Sequence, residues 1–248
     1  MSIFKVRIRN AILFFVLTIL STKIWAANIR PYISGTGTYR AIVIEGKIIE
    51  GDFDTFQKIV KDNLGKVNGV WLFSPGGDFY EAMKIGRAMR SLELSSMVPR
   101  RDSRGLPECK KIFDNLHPPK NPSNCTCASA CFFIHIGAIH RGGTYLAVHR
   151  PAFEKGQFGK LSQSDAKRAF DALQNSARKY MEEMGVPLHI QEDVLGTPSD
   201  KALLLDEKTI KTYFWLKIPY RHEWILNKCS QLSAAERKRS DKYSDLTV

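Results

Sequence analysis

The sequence has no internal repeat, no arginine-rich run interleaved with aromatics, and no apolar run near its start long enough to cross a membrane comfortably. The first absence excludes a solenoid or array, whose stacked units show as a fixed period. The second removes the usual footprint of a nucleic-acid binder. Acidic residues are few, 25 Asp and Glu against 37 Lys and Arg in 248 residues. Four of those cations lie in the first 26 residues, which hold no acid, so the remainder carries 33 against 25, a net charge of +8. These positives are spread along the chain, as on a solvated, cation-rich surface, and no nucleic-acid partner is implied.

Lys5, Arg7 and Arg9 make a basic start, Ala11 to Leu20 is apolar apart from Thr18, and Ile24-Trp-Ala26 offers a small residue at a cleavage position. This is the pattern of a secretory signal peptide over 1–26. An uncleaved anchor is the alternative, since Ile24 is an unusual partner for the cleavage site; only then would the protein be held at a membrane. The 222 residues from Ala27 suffice for one sizeable core and are short for two domains. One α/β domain over 27–233 is therefore expected, with an insertion at about 100–125 and a polar, disordered tail over 234–248.

All five cysteines, Cys109, Cys125, Cys127, Cys131 and Cys229, fall in the exported part, where an oxidising compartment favours pairing. The number is odd, and connectivity stays open. Cys109 and Cys125 bracket a segment rich in Pro, Asn and Lys with little apolar content, so that pair is ranked first, with Cys127 and Cys131 as further candidates. A zinc site would need His135 or His140 as fourth ligand, and both fall in or just after a buried helix; no metal is expected.

Hydrophobic period gives the elements. Arg40 to Ile49 reads as strand, glycine turn, strand, and Asp52 or Asp54 caps a helix through Phe56, Ile59 and Val60. Val67 to Phe73 is a dense apolar strand of the fully buried kind. A helix runs from Phe79 to about Leu92, and Ser95 to Val98 restarts a strand. Ala128 to Ile139 is small and apolar, as in a buried helix. Thr144 to Val148 is strand-like, and Leu161 to Gly185 is a long helix opened by Ser162 or Ser164 and stopped by Gly185-Val-Pro. This alternation predicts a largely parallel sheet.

Three short motifs then carry chemistry. Ser74-Pro-Gly-Gly77 is a turn able to aim backbone N–H groups at an oxyanion; Cys127-Ala-Ser-Ala-Cys131 offers a hydroxyl at a helix start; His149 ends a strand and offers a base. Taken alone, Ser129 reads as a helix cap or a small packing residue, and His149 as a strand terminator. His117, His189 and His222 lack companions and read as surface or packing residues. Phe132-Phe133 and the stripe Phe170, Leu173, Ala177, Tyr180 read as core.

Val70-Trp-Leu-Phe-Ser-Pro-Gly-Gly-Asp, Glu81-Ala82, Ile85-Gly-Arg-Ala, Cys-Ala-Ser-Ala-Cys and Val148-His-Arg-Pro, in that order, resemble the ClpP and crotonase superfamily, and within it the exported ClpP-like proteins. The resemblance covers roughly 42–215 and implies a spiral of β-β-α units. It assigns Ser129 as nucleophile, His149 as general base, and Gly77 and Ala130 as oxyanion donors. For the acid it offers Asp200, with Asp193 as competitor, though no clear motif marks either. The insertion between Gly77 and Ser129 departs from the family's spacing and could cover the cleft.

These residues support a serine hydrolase, a peptidase acting by acyl transfer on short peptides or unfolded segments, with no cofactor and no ATP-driven partner outside the cytoplasm. The alternative is a ClpP-like fold kept as a non-catalytic binding or assembly module. A homo-oligomer is compatible with either. A crotonase-like acyl-CoA enzyme is disfavoured, because its cofactor is not expected outside the cytoplasm and the Ser/His pair would go unused.

Overall fold

The computed structural model describes residues 26–33, 40–109, 119–153, 156, 158–215 and 227. The signal segment, the tail, His117, His222 and Cys229 lie outside the described residues, Ala26 excepted.

The architecture is mixed α/β around a mostly parallel sheet. Strands β1 (Asn28–Ile33), β2 (Arg40–Glu45), β3 (Gly69–Phe73), β4 (Ser95–Met97) and β7 (Arg141–Gly142) form a five-stranded sheet in the order β1-β2-β3-β4-β7. Only β1 is antiparallel to its neighbour, pairing Asn28 with Glu45 through Ile33 with Arg40. Two short antiparallel pairs complete the strands: β5 (Arg100–Arg101) with β6 (Pro107–Glu108), and β8 (Ala147–Val148) with β9 (Leu203–Leu204). The helices are α1 (Asp52–Asp62), α2 (Phe79–Ser91), α3 (Ala130–Gly137), α4 (Gln163–Glu183), α5 (Leu188–Gly196) and α6 (Glu207–Tyr213).

Strands β2 and β3 are apolar on both faces because both are covered. Ile42, Ile44, Val70 and Leu72 point into the main core with Phe56, Ile85, Met89 and Phe133. Ala41, Val43, Trp71 and Phe73 point the other way, onto a smaller core closed by Cys109, Cys125 and Tyr32. The residues flanking the insertion thus pack on the sheet, and a Cys109–Cys125 disulfide pins them there. Glu45 adds a polar anchor: it accepts from Asn121 N–H at 2.9 Å and pairs with Arg30 at 2.9 Å. Burial pushes its carboxyl upward, but hydrogen bonds from the Asn121 and Lys120 backbone and from Asn124 and Arg30 win and hold it below the usual range. Two disulfides fit an oxidising, extracytoplasmic compartment. No helix among the described residues is long and apolar enough to cross a membrane.

Local chemistry explains the departures from expectation. Neither Asp52 nor Asp54 occupies the cap position of α1; Gly51 does, at φ 89°, and Asp52 instead accepts from Ile49 N–H at 2.8 Å to close the preceding turn. The second half of the expected hairpin shrinks to a single bridge, Ile48 to Gly77. Strand β1 and helix α5 were not foreseen.

Helix α3 is apolar apart from His135 and buried along its whole length, so it is central, and its end is fixed by cations. Arg90 donates to the carbonyls of Gly137 (2.8 Å) and Ile136 (3.0 Å), and Arg141 to those of Ala138 (3.0 Å) and Ile136 (2.6 Å). These bonds satisfy acceptors left over at the helix terminus and oppose its negative dipole end. Burial, then the neighbouring Arg90, lowers the Arg141 pKa to about 9.

Candidate active site

Segment Cys127–Ala128 is a strand in miniature that leads into α3. Ser74 N–H donates to Thr126 O at 2.8 Å and Ala128 N–H to Ser74 O at 3.0 Å on one edge; Ala147 N–H donates to Cys127 O at 2.9 Å and Ser129 N–H to Ala147 O at 3.0 Å on the other. The chain must then turn from strand to helix at once. Ser129 makes that turn at φ 55°, ψ −120°, one of only two non-glycine residues with positive φ among those described. Such a conformation costs about 1–3 kcal/mol and persists only where surroundings impose it. Ser129 occupies the cap position of α3 yet makes no capping hydrogen bond. The helix-cap reading of its hydroxyl therefore fails, and the half-buried side chain lines a cavity instead.

That cavity, of about 440 Å³, is lined by Ser129, Ala130, His149 and Gly77 together, with Phe79, Phe133, Phe153 and Leu173 forming its apolar wall. Lys47, Asp78, the half-exposed Tyr80, Pro151 and Ala152 complete its lining. Phe133 and Leu173, expected as core, are both almost wholly buried and also face this space.

The Ser74-Pro-Gly-Gly77 turn is held by Ser74, which is fully buried and whose Oγ accepts from Gly76 N–H at 3.0 Å. Ile48 N–H donates to Gly76 O at 2.9 Å and Asp78 N–H to Ile48 O at 2.8 Å, which engages both groups flanking Gly77. Gly77 has φ 141°, and a Cβ there would sit 2.0 Å from Ile48 O, so only glycine fits. No acceptor among the described residues takes the N–H of Gly77 or of Ala130. Ala130 is the first residue of α3, where the positive end of the helix dipole adds to an unpaired donor.

His149 follows β8. Its Nδ1 lies 2.8 Å from the carbonyl oxygen of Arg150. A carbonyl only accepts, so the ring nitrogen donates; in the neutral ring this places the proton on Nδ1 and leaves the Nε2 lone pair as the basic position. Arg150 is itself tied down, its N–H donating to Thr197 O at 3.0 Å and its guanidinium lying 5.8 Å from the Phe170 ring centre.

The carboxylates are less engaged. The register of β8 with β9, Val148 opposite Leu203, brings the loop carrying Asp200 beside the end of β8. Asp200 is nevertheless exposed, as is Asp193 on α5, and neither hydrogen-bonds His149. The orienting partner in the structure is the Arg150 carbonyl, which sequence motifs do not reveal because it is main chain. Ser74 was legible in principle, as a hydroxyl residue two positions before the first glycine of a turn.

His135 and His189 stand apart from this cavity. His135 is fully buried with Nδ1 2.7 Å from Ser96 Oγ, and burial, then Arg141, lowers its pKa to about 3. His189 packs against Tyr213 with ring centres 4.8 Å apart. No group of His, Cys, Asp and Glu able to hold a metal occurs among the described residues.

No protein-family model and no curated protein matches the sequence. Solved structures with a similar course of chain include a mutant of ClpP1 from Listeria monocytogenes, with 14% identity and a TM-score of 0.45 over 71% of this chain and 88% of that one. A mutant of the 1510-N membrane-bound stomatin-specific protease gives 18% identity and a TM-score of 0.44 over 71% of this chain and 76% of that one.

Proposed function

We propose that the protein is an exported, ATP-independent serine hydrolase with a ClpP-like spiral arrangement, a peptidase acting on short peptides or unfolded segments. The single observation that carries this reading is Ser129: a serine in a costly backbone conformation, free of any capping duty, lining one cavity with His149, Gly77 and Ala130. A strained backbone at a residue whose hydroxyl makes no capping bond points to a functional use of that hydroxyl, as at a strand-to-helix nucleophile turn.

In this reading Ser129 Oγ attacks a carbonyl carbon while His149 Nε2 takes its proton. The N–H groups of Gly77 and Ala130 receive the oxyanion, and the imidazolium then protonates the leaving amine. Water then attacks the ester carbon while His149 takes its proton, and as the bond to Ser129 Oγ breaks the imidazolium returns that proton to Oγ, releasing the acid and restoring the site. The Arg150 carbonyl holds the ring in the required tautomer throughout. Asp200, in the loop that leads into β9 beside the end of β8, is proposed as an outer contributor to the imidazolium's stability. The apolar wall of Phe79, Phe133, Phe153 and Leu173 suits a hydrophobic side chain next to the scissile bond.

The absence of a carboxylate bonded to His149 among the described residues favours the second reading, a non-catalytic module that uses the same cavity to bind peptide. Treatment with a fluorophosphonate separates the two. Covalent mass gain located at Ser129 supports the hydrolase; an unlabelled, folded protein that still binds peptide supports the module.

A further inference from the structure

Cys127 and Cys131, four residues apart, are joined by a disulfide whose ring contains Ala128, Ser129 and Ala130 and nothing else. Both cysteines are completely buried in the main core. Their Cα atoms are 5.3 Å apart. Four residues of extended chain would span about 13 Å, and four of helix about 6 Å, so the crosslink holds this stretch shorter than either regular structure. Cys127 belongs to the strand bridged to Ser74 and Ala147, whereas Cys131 is the second residue of α3. The reversal between strand and helix must therefore be completed within three residues, and the middle one, Ser129, carries the positive φ.

We propose that the Cys127–Cys131 disulfide is a positioning element for Ser129: it keeps the serine in its left-handed conformation and so aims the hydroxyl into the cavity beside His149. This rests on the hydrolase reading for its catalytic meaning, but the claim about backbone conformation stands independently of it. Ordinary core packing does not account for the arrangement. Two buried cysteines could fill the same space as thiols, and a crosslink across only three residues removes less chain entropy than one across a long loop. What a ring this small does is restrict the dihedrals of the residues inside it.

Two measurements on Cys127→Ala/Cys131→Ala, with Cys109→Ala/Cys125→Ala as the control pair, test the proposal. The first is the crystal structure of each variant, read for the φ of Ser129. The second is fluorophosphonate inactivation, separated into the limiting rate and the half-saturating concentration. In Cys127→Ala/Cys131→Ala, Ser129 is expected to leave the positive-φ region, with the limiting rate falling about 100-fold and half-saturation changing by less than about 3-fold. The control pair is expected to keep both. Ser129 retained at positive φ in the Cys127→Ala/Cys131→Ala variant overturns the proposal, and so does a limiting rate within about 3-fold of wild type. If the wild type itself is not labelled, the hydrolase reading falls, and the crystal structures alone decide the positioning claim. Should the alanine pair fail to fold, folded wild type partly reduced with a phosphine is followed by amide exchange. Faster exchange confined to 129–132 in the opened fraction supports the proposal; unchanged exchange there overturns it.

Discussion

Gly76 and Ser129 are packed backbone to backbone: a Cβ added to Gly76 would lie 2.6 Å from the Cβ of Ser129, 2.8 Å from Ala128 O and 3.0 Å from Ala130 N. The glycine turn and the Ser129 segment are thus separated by the width of a missing methyl group. Gly76→Ala is expected to push the two apart, lowering the rate of Ser129 labelling about 100-fold. Because Gly76 also has φ 105°, the folded state should lose about 1 kcal/mol or more, read as a lower urea midpoint.

Ser129→Ala should abolish fluorophosphonate labelling and any peptide hydrolysis. Its effect on stability should stay well under the ~1 kcal/mol typical of a lost helix cap, since the hydroxyl makes no capping bond. Ser129→Gly should be equally inactive yet more stable than wild type by about 1 kcal/mol, because glycine adopts φ 55° without the steric cost. Thermal melts of the two variants check the pair; a less stable glycine variant would show that the serine is not strained.

His149→Ala should lower hydrolysis by roughly 10²–10⁴-fold, the range of a lost general base. Asp200→Asn and Asp193→Asn should each cost far less, about 10-fold at most, because the Nδ1 proton is held by the Arg150 carbonyl and both carboxylates are exposed. A loss at Asp200 as large as that at His149 would mean that the carboxylate swings onto the ring during turnover.

Removing the other crosslink should act on stability alone. Cys109 and Cys125 are 16 residues apart, and opening that loop should cost ~3 kcal/mol in the chain-entropy model. The denaturant midpoint should fall while labelling of Ser129 stays within about 3-fold. Thiol counting on the denatured, unreduced wild type checks the premise, since five reactive thiols would contradict both bonds.

Acid lability between pH 6.5 and about 4.5 should trace to His135 rather than to the cavity. Its pKa is about 3 in the fold against 6.5 when exposed, so the unfolded chain takes up a proton that the folded one refuses. The resulting stability is complete above pH 6.5 and erodes as pH falls toward 3. By pH 4.5 the loss attributable to this ring should reach roughly 2–3 kcal/mol. His135→Phe, beside Phe214, should flatten that part of the profile in urea titrations at pH 7 and pH 4.5.

What the sequence disclosed was governed by periodicity and by residue type. Buried strands such as β3 and amphipathic helices such as α2 and α4 repeat their apolar residues at intervals that leave one consistent reading. Strand β1, with Asn, Arg and Pro among its residues, has no such repeat, and it forms because β2 offers an open edge. Ser129, His149 and Gly77 were nameable because their chemistry resides in side chains or in the lack of one. The conformation of Ser129, the Arg150 carbonyl and the choice of Cys131 for Cys127 are properties of backbone course, which adjacent letters do not encode. Asp200 failed to stand out for a related reason: nothing local distinguishes an acid that faces an imidazole from one that faces water.

Segment Cys127–Ala128 is bonded to Ser74 on one side and to Ala147 on the other through main-chain groups alone. Side chains can therefore change on the walls of the cavity without breaking the main-chain bonds that hold the joint carrying Ser129. Phe153, only partly buried, is the wall residue most open to exchange, whereas Phe79 and Leu173 also belong to the core and Gly76, Gly77 and the stretch from Cys127 to Cys131 form the joint itself. The shape of the cavity and the placement of Ser129 are thus set by different groups, the first by side chains and the second by main chain, so one can vary by point substitution while the other stays fixed.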